Sequence, residues 1–158
     1  MSELTLTGTP TVAADMLIRR PVAEVFRAFA DPAVTTRFWF TKSSGELGPG
    51  ARVRWDWEMY GVSTTVSVKE FERDRRIVFE WNEDSPTTVE FRFVPWEDDT
   101  TFVQVTEVGV GGDGDTAVAY VTGSTAGFTK VLCAAKALLE HDVVLTVVLD
   151  HRPPGLEV

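Results

Sequence analysis

The stretch RVRWDWEM, residues 52–59, alternates strictly between polar and apolar side chains. Charged side chains stand at its even positions, whereas a valine, tryptophans and a methionine stand at its odd positions. Successive side chains of a β-strand point to opposite faces of the sheet, so this pattern predicts a strand with one wet face and one bulky apolar face. The apolar face carries Trp55 and Trp57, which either fill a core or line a cavity.

Further segments with the same alternation follow this strand. They lie at 61–71, 76–81, 87–94 and 101–108, and turn-forming residues separate them. Turns this short leave no room for crossover helices, so the five strands predict an antiparallel meander. The apolar parity of the later strands includes Phe79, Trp81, Phe91, Phe93 and Val105.

One strand and two helices are predicted before the meander. Residues 11–18 predict the strand, and Pro21 then opens a helix because its fixed φ suits a first helical position. Asp31–Pro32 ends that helix, and a second short helix runs from the proline towards Phe38. The turn formers of KSSGELGPG, residues 42–50, predict a loop before the meander begins.

The last third of the chain predicts two helical segments. A short one around 116–121 stops at Gly123, and a longer one over 124–142 is capped by Ser124 or Thr125. The apolar side chains of the longer helix form one stripe, which can cover the apolar face of the sheet. The order of elements therefore predicts an α+β fold.

The order and spacing of several segments carry a resemblance to a known family. The segments are IRRPVAEVFRAFADPAVTTRFW (18–39), GELGPGARVRWDW (45–57), RRIVFEW (75–81) and GFTKVLCAAKALLEH (127–141). Together they resemble the START-like superfamily with the Bet v 1 fold (SRPBCC), in its activator of Hsp90 ATPase homologue 1-like branch. The resemblance covers about residues 10–141.

This resemblance implies a helix-grip fold. In that fold a curved antiparallel sheet wraps around a long C-terminal α-helix, two short helices follow the first strand, and an elongated cavity often lies between sheet and helix. We expect one such domain over residues 1–158, in which 142–158 form an apolar and then Pro-rich tail.

The gap between the sheet and the long helix is the predicted functional site. We expect a cavity there that binds a hydrophobic or aromatic small molecule, since ligand sites are mostly apolar and concave. Its predicted lining is Trp39, Trp55, Trp57, Phe79, Trp81, Phe91, Phe93, Val105, Glu107, Phe128 and Leu132. A packed core stays open as the alternative, because the same residue types line a cavity and fill a core.

The resemblance also leaves two other functions open. The family name implies a co-chaperone or protein-interaction module, with an Hsp90-type chaperone as partner. Relatives that act as cyclases or hydrolases on aromatic or polyketide-like compounds imply an enzyme, although the usual catalytic motifs are largely missing from this sequence.

Glu107 is the first candidate for a polar anchor in the cavity. It shares the inward parity of Val103 and Val105 near the end of its strand, so it lies either at the cavity mouth, in contact with water, or buried. We expect the exposed position. If the protein is an enzyme, Glu107 is the acid or base, helped by Tyr60 or Tyr120.

Other acidic and glycine-rich motifs predict no site. GVGGDG at 109–114 matches a dinucleotide fingerprint, but that fingerprint needs a parallel βαβ unit, and Asp113 and Asp115 would repel phosphate. The same acids lack the additional oxygen ligands of a calcium loop. Asp56 and Glu58 share their strand face with two arginines, which favours a solvent-side ladder of charges over an acid–base pair.

The histidines and the cysteine predict no metal site and no cofactor. His141 lies at a helix end, where the helix dipole favours it, and His151 lies in the tail; neither is placed on the cavity face. Cys133 has no neighbouring histidine or basic cluster, so a small buried hydrophobe is expected rather than a nucleophile.

Composition limits the partners and the compartment. The net charge of −9 and the pI of about 4.7 disfavour nucleic acid and anionic membranes as partners. A single cysteine permits no internal disulfide, and the N-terminus lacks the features of a secretory signal, so we expect a cytoplasmic protein. The apolar segment VVLTVVL, residues 143–149, either packs on the core or forms a homodimer interface.

Overall fold

The computed structural model describes residues 3–158 and has a curved antiparallel sheet gripping one long helix. The strands are ordered β1-β7-β6-β5-β4-β3-β2 across the sheet. In chain order the elements are β1 (Val12–Ile18), α1 (Val22–Ala30), α2 (Pro32–Thr35), β2 (Lys42–Ser43), β3 (Arg52–Trp57), β4 (Val62–Glu72), β5 (Arg76–Trp81), β6 (Thr87–Trp96), β7 (Thr100–Val108) and α3 (Gly114–His141). This arrangement confirms the predicted α+β helix-grip fold.

Strand β3 keeps the alternation from which the fold was predicted. Val53 and Trp55 are buried on its inner face, and Trp55 stands opposite Thr64 of β4. The strand ends at Trp57, two residues earlier than its pattern suggests, because residues 58–60 form a 3₁₀ turn. Gly61 closes that turn with a φ of 60°, a left-handed conformation that glycine adopts without steric cost.

Two features of the sheet were not predicted. Lys42–Ser43, within the predicted loop, form the edge strand β2 and pair with Asp56 and Trp55 of β3. A two-residue strand is too short to show any periodicity. A β-bulge between Val68 and Glu70 shifts the register of β4, so that Phe71 turns inward although its parity in the sequence is polar.

The helices before the sheet follow the predicted signals. Pro21 immediately precedes α1, whose buried side chains include Phe26 and Phe29. Asp31 ends α1 and caps α2, since its carboxylate accepts a hydrogen bond from the Ala33 N–H at 3.0 Å.

The prediction of two C-terminal helical segments is wrong, because α3 is one continuous helix. Its cap is Asp113, whose side chain accepts a hydrogen bond from the Thr116 N–H at 2.8 Å. Gly123 lies inside the helix, and Ser124 donates its hydroxyl to Glu107 instead of capping. A glycine within a helix costs only about 1 kcal/mol, which packing of a long helix outweighs.

The inward aromatic side chains pack against two helices, α1 and α3, and not against α3 alone as expected. Phe91 and Phe93 pack against α1, with ring centroids 5.0 Å from Phe29 and 5.1 Å from Phe26 respectively. On the other side, Phe128 of α3 stacks on Trp81 at 5.8 Å. The short helix α1 therefore buries Phe91 and Phe93, two of the aromatic residues that were predicted to line the cavity.

The tail at 142–158 forms turns and returns to the body of the protein. Leu145, Val147 and Val148 are partly buried against the core, and the single hydrogen of the Tyr60 hydroxyl is shared between the carbonyls of Val148 and Leu149. Across residues 3–158, none of the helices has the length and apolar character needed to span a membrane.

Candidate ligand site

A cleft of about 590 Å³ lies between α3, the β3–β5 end of the sheet and the tail. This volume is in the range of small-molecule sites. The aromatic part of its wall consists of Trp39, Trp57, Tyr60, Trp81, Tyr120 and Phe128. The tail contributes Val148 and His151, so the cleft has walls from three parts of the chain.

The predicted lining residues divide between this cleft and the core. Trp39, Trp57, Trp81 and Phe128 line the cleft. The side chains that lie in the core and do not reach the cleft are Trp55, Phe79, Phe91, Phe93, Val105 and Leu132. The two tryptophans of β3 thus have different surroundings: Trp55 is 1% exposed and stacks on Phe40 at 4.3 Å, whereas Trp57 is partly exposed at the cleft.

Helix α3 keeps small residues on the face that it turns to the cleft. Ala119, Gly123 and Gly127 are spaced four residues apart, and all three line the cleft. A Cβ added at either glycine would meet no atom within 4 Å. Each glycine costs the helix about 1 kcal/mol relative to alanine, so the open space is kept at the expense of helix stability.

Glu107 lies behind the cleft and is completely buried, so the expectation that it is exposed is wrong. Tyr120 and Ser124 of α3 lie against the carboxylate and help to cover it. The Oε2 atom accepts hydrogen bonds from Trp81 Nε1 at 2.9 Å, Thr87 Oγ1 at 2.5 Å and Tyr120 Oη at 2.6 Å. The Oε1 atom accepts one from Ser124 Oγ at 2.5 Å.

The direction of these hydrogen bonds decides whether the cleft wall offers donors or acceptors to a ligand. Glu107 takes the hydroxyl hydrogens of Tyr120 and Ser124, so both oxygens are left to act as acceptors towards the cleft. Asn82 Nδ2 already donates to Tyr120 Oη at 2.9 Å. The wall therefore favours a ligand group that donates a hydrogen bond, such as a hydroxyl or an N–H.

Tyr120, and not Glu107, is the group that a ligand in the cleft can touch. Burial, and then the hydrogen bond to Glu107, raises the pKa of Tyr120 to about 12, so its phenol keeps its proton at neutral pH. A covered carboxylate and a protonated phenol suit binding and orientation better than proton abstraction.

The outer rim of the cleft carries a basic pair that the sequence did not predict. Lys130 Nζ lies 2.6 Å from His151 Nδ1, and both residues line the cleft. The prediction that neither histidine reaches the cavity is therefore wrong for His151. The tail after α3 has no helical or strand periodicity from which its return to the cleft could be read.

The acidic and cysteine side chains considered in the sequence lie outside the cleft. Asp113 caps α3, and Asp56 pairs with Arg54 at 3.0 Å on the solvent side. Cys133 is exposed, not buried as predicted, because it lies on the outer side of α3. Among residues 3–158, His, Cys, Asp and Glu side chains form no group of three or more that could hold a metal ion.

The chain is similar to one protein family over most of its length. The family model described as activator of Hsp90 ATPase homolog 1-like protein matches residues 19–140. No curated protein matches the chain.

Several solved structures share the fold. The protein SSP2350 from Staphylococcus saprophyticus is 26% identical with a TM-score of 0.75, and the match covers 86% of this chain and 96% of that one. The Aha1 dimer from Colwellia psychrerythraea is 15% identical with a TM-score of 0.72, covering 84% and 97%. The di-domain ARO/CYC protein BexL from the BE-7585A biosynthetic pathway is 19% identical with a TM-score of 0.73, covering 83% of this chain but 46% of BexL. At this level of identity, the last two show the fold alone.

Proposed function

We propose that this chain, which belongs to the family of activator of Hsp90 ATPase homolog 1-like proteins, binds an apolar, aromatic small molecule in the cleft between its sheet and α3. The observation that carries this proposal is the open cleft between aromatic walls and the two glycines of α3. A helix that only had to cover a core would gain stability from alanine at Gly123 and Gly127.

The polar wall gives the ligand an orientation. Tyr120 and Ser124 donate their hydroxyl hydrogens to Glu107, so their oxygens are the acceptors offered to a ligand at that end of the cleft, and the aromatic rings surround the remaining space. A planar molecule with a hydroxyl or N–H at one end meets both requirements, because its apolar body is removed from water while its polar group keeps a partner.

Fluorescence titration with N-phenyl-1-naphthylamine, a neutral aromatic probe that brightens in apolar surroundings, tests the proposal. We expect saturable binding to the wild-type protein and at least about a tenfold loss of affinity in Gly127→Leu, whose side chain fills the cleft. Ala126→Leu is the matched control, since Ala126 is exposed on α3 and does not line the cleft. Equal binding to both variants, or no binding to the wild type, contradicts the proposal.

The family description favours a second function, binding to an Hsp90-type chaperone. Isothermal titration of the chain against Hsp90 separates the two. Heat of binding that persists in Gly127→Leu would assign the interaction to another surface, whereas a titration without heat counts against the chaperone role.

A further inference from the structure

The basic pair at the cleft rim joins two separate parts of the chain. Lys130 projects from α3, and His151 comes from the tail, after the turn at residues 147–150. An ammonium group is only a donor, so Lys130 Nζ donates to the lone pair of His151 Nδ1 at 2.6 Å. The neutral imidazole then carries its hydrogen on Nε2. Both side chains therefore offer donors to a third group.

No carboxylate that lines the cleft pairs with the positive charge of Lys130. The residues that line the cleft include no Asp or Glu, although the chain as a whole has a net charge of −9. Among the ion pairs formed within residues 3–158, none involves Lys130. The neighbouring acid of the tail, Asp150, accepts a hydrogen bond from Thr146 instead.

We propose that the ligand carries an acidic group, such as a carboxylate or sulfonate, which Lys130 and His151 bind at the rim of the cleft. This inference rests on the proposed function and adds the charge of the ligand to it. Along α3, Lys130 lies six residues beyond Ser124 and ten beyond Tyr120, or about 9 and 15 Å at 1.5 Å per residue. The ligand is therefore an aromatic acid whose anionic group is bound at the rim, away from these hydroxyls, while its aromatic body lies in the cleft.

Two fluorescent probes that differ by one acidic group give a direct test. N-phenyl-1-naphthylamine is neutral, and 1-anilinonaphthalene-8-sulfonate has the same rings with a sulfonate added. Both are titrated into the wild type, Lys130→Met and Lys130→Arg. The matched control is Lys69→Met, which removes the same charge from an exposed position of β4 outside the cleft.

We expect Lys130→Met to weaken binding of the sulfonate about fivefold and to leave the neutral probe within about twofold, as a partly exposed ion pair allows. Lys130→Arg retains the cation and should restore most of the sulfonate affinity. Lys69→Met should change neither probe.

The titrations distinguish failure of the acidic-ligand proposal from failure of the cleft proposal. If the neutral probe binds and Lys130→Met affects both probes equally, or if Lys69→Met weakens the sulfonate as much, the acidic-ligand proposal is overturned and the cleft proposal stands. If neither probe binds the wild type, both are overturned.

Discussion

Glu107 is a buried carboxylate that the protein satisfies with four neutral donors and no cation. Leaving a buried charge without partners is costly, whereas a full set of donors offsets much of that cost. The donors come from β5, β6 and α3, and Glu107 itself lies on β7. One residue therefore ties the sheet to the helix at the inner end of the cleft.

Replacement of Glu107 by glutamine tests this network. The amide has one oxygen in place of two and brings an NH₂ group that faces hydroxyl donors, so at least one buried partner loses its acceptor. We expect the free energy of unfolding in urea to fall by about 2 kcal/mol. Glu46→Gln, at an exposed position, is the control and should change it by less than about 0.5 kcal/mol. Equal effects of the two variants would mean that the network does not hold the fold.

Tyr120 gives the protein a specific response to alkaline pH. Its pKa is about 12 in the folded state against 10 for a free tyrosine, so between these values the unfolded chain has lost a proton that the folded protein keeps. The stabilisation is present in full below pH 10 and is lost as the pH rises towards 12. We expect the free energy of unfolding of the wild type, measured in urea, to fall more steeply from pH 9.5 to 11.5 than that of Tyr120→Phe. An equal pH dependence of the free energy of unfolding in the two proteins would contradict the raised pKa of Tyr120.

At the scale of elements, the glycines of α3 lower the stability of the helix and leave space in the cleft. Gly123 lines the cleft and has no atom near the position of a Cβ. Gly123→Ala should therefore raise the free energy of unfolding by up to about 1 kcal/mol while it narrows the cleft and weakens binding of N-phenyl-1-naphthylamine.

Ala126→Gly is the opposite control for this prediction. It lies on the exposed side of α3, so it should destabilise the protein by about the same amount and leave binding of the probe unchanged. If Gly123→Ala stabilises the protein without any effect on the probe, the glycine does not serve the cleft.

The sequence predicts those elements whose pattern is long enough to read. Strand β3 and its meander were predicted because alternation repeats over six or more residues with turns between them. The two-residue strand β2 and the bulge near Val68 were not, because each depends on pairing with a neighbouring strand. The break predicted at Gly123 was wrong because tertiary contacts override a local helix breaker.

At the scale of the whole molecule, the tail forms part of one wall of the cleft and packs on the core. Deletion of residues 143–158 removes the partly buried Leu145, Val147 and Val148, and with them the carbonyl partners of Tyr60. We expect a loss of about 3 kcal/mol in the free energy of unfolding, from incomplete burial of three apolar side chains. Unchanged unfolding together with a halved mass in sedimentation would instead assign the tail to a homodimer interface.

The candidate site was less predictable than the fold. Strand parity placed Trp57 and Trp81 on the inner side, and the apolar stripe of the long helix placed Phe128 there. Neither pattern could tell the cleft from the core that contains Trp55 and Phe91. That division depends on which helix covers each part of the sheet. The basic pair and the donors around Glu107 come from segments far apart in the chain, and their meeting is a property of the folded molecule.

The indole N–H signals of the tryptophans in a ¹H–¹⁵N correlation spectrum, followed during titration with N-phenyl-1-naphthylamine, test the cleft most directly. Trp39, Trp57 and Trp81 line it, whereas Trp96, at the end of β6 and 59% exposed, lies outside it and is a control within the same spectrum. We predict saturable shifts of the three cleft tryptophans and an unmoved Trp96 signal. Shifts confined to Trp96, or a spectrum that does not change, would contradict a ligand site between the sheet and α3.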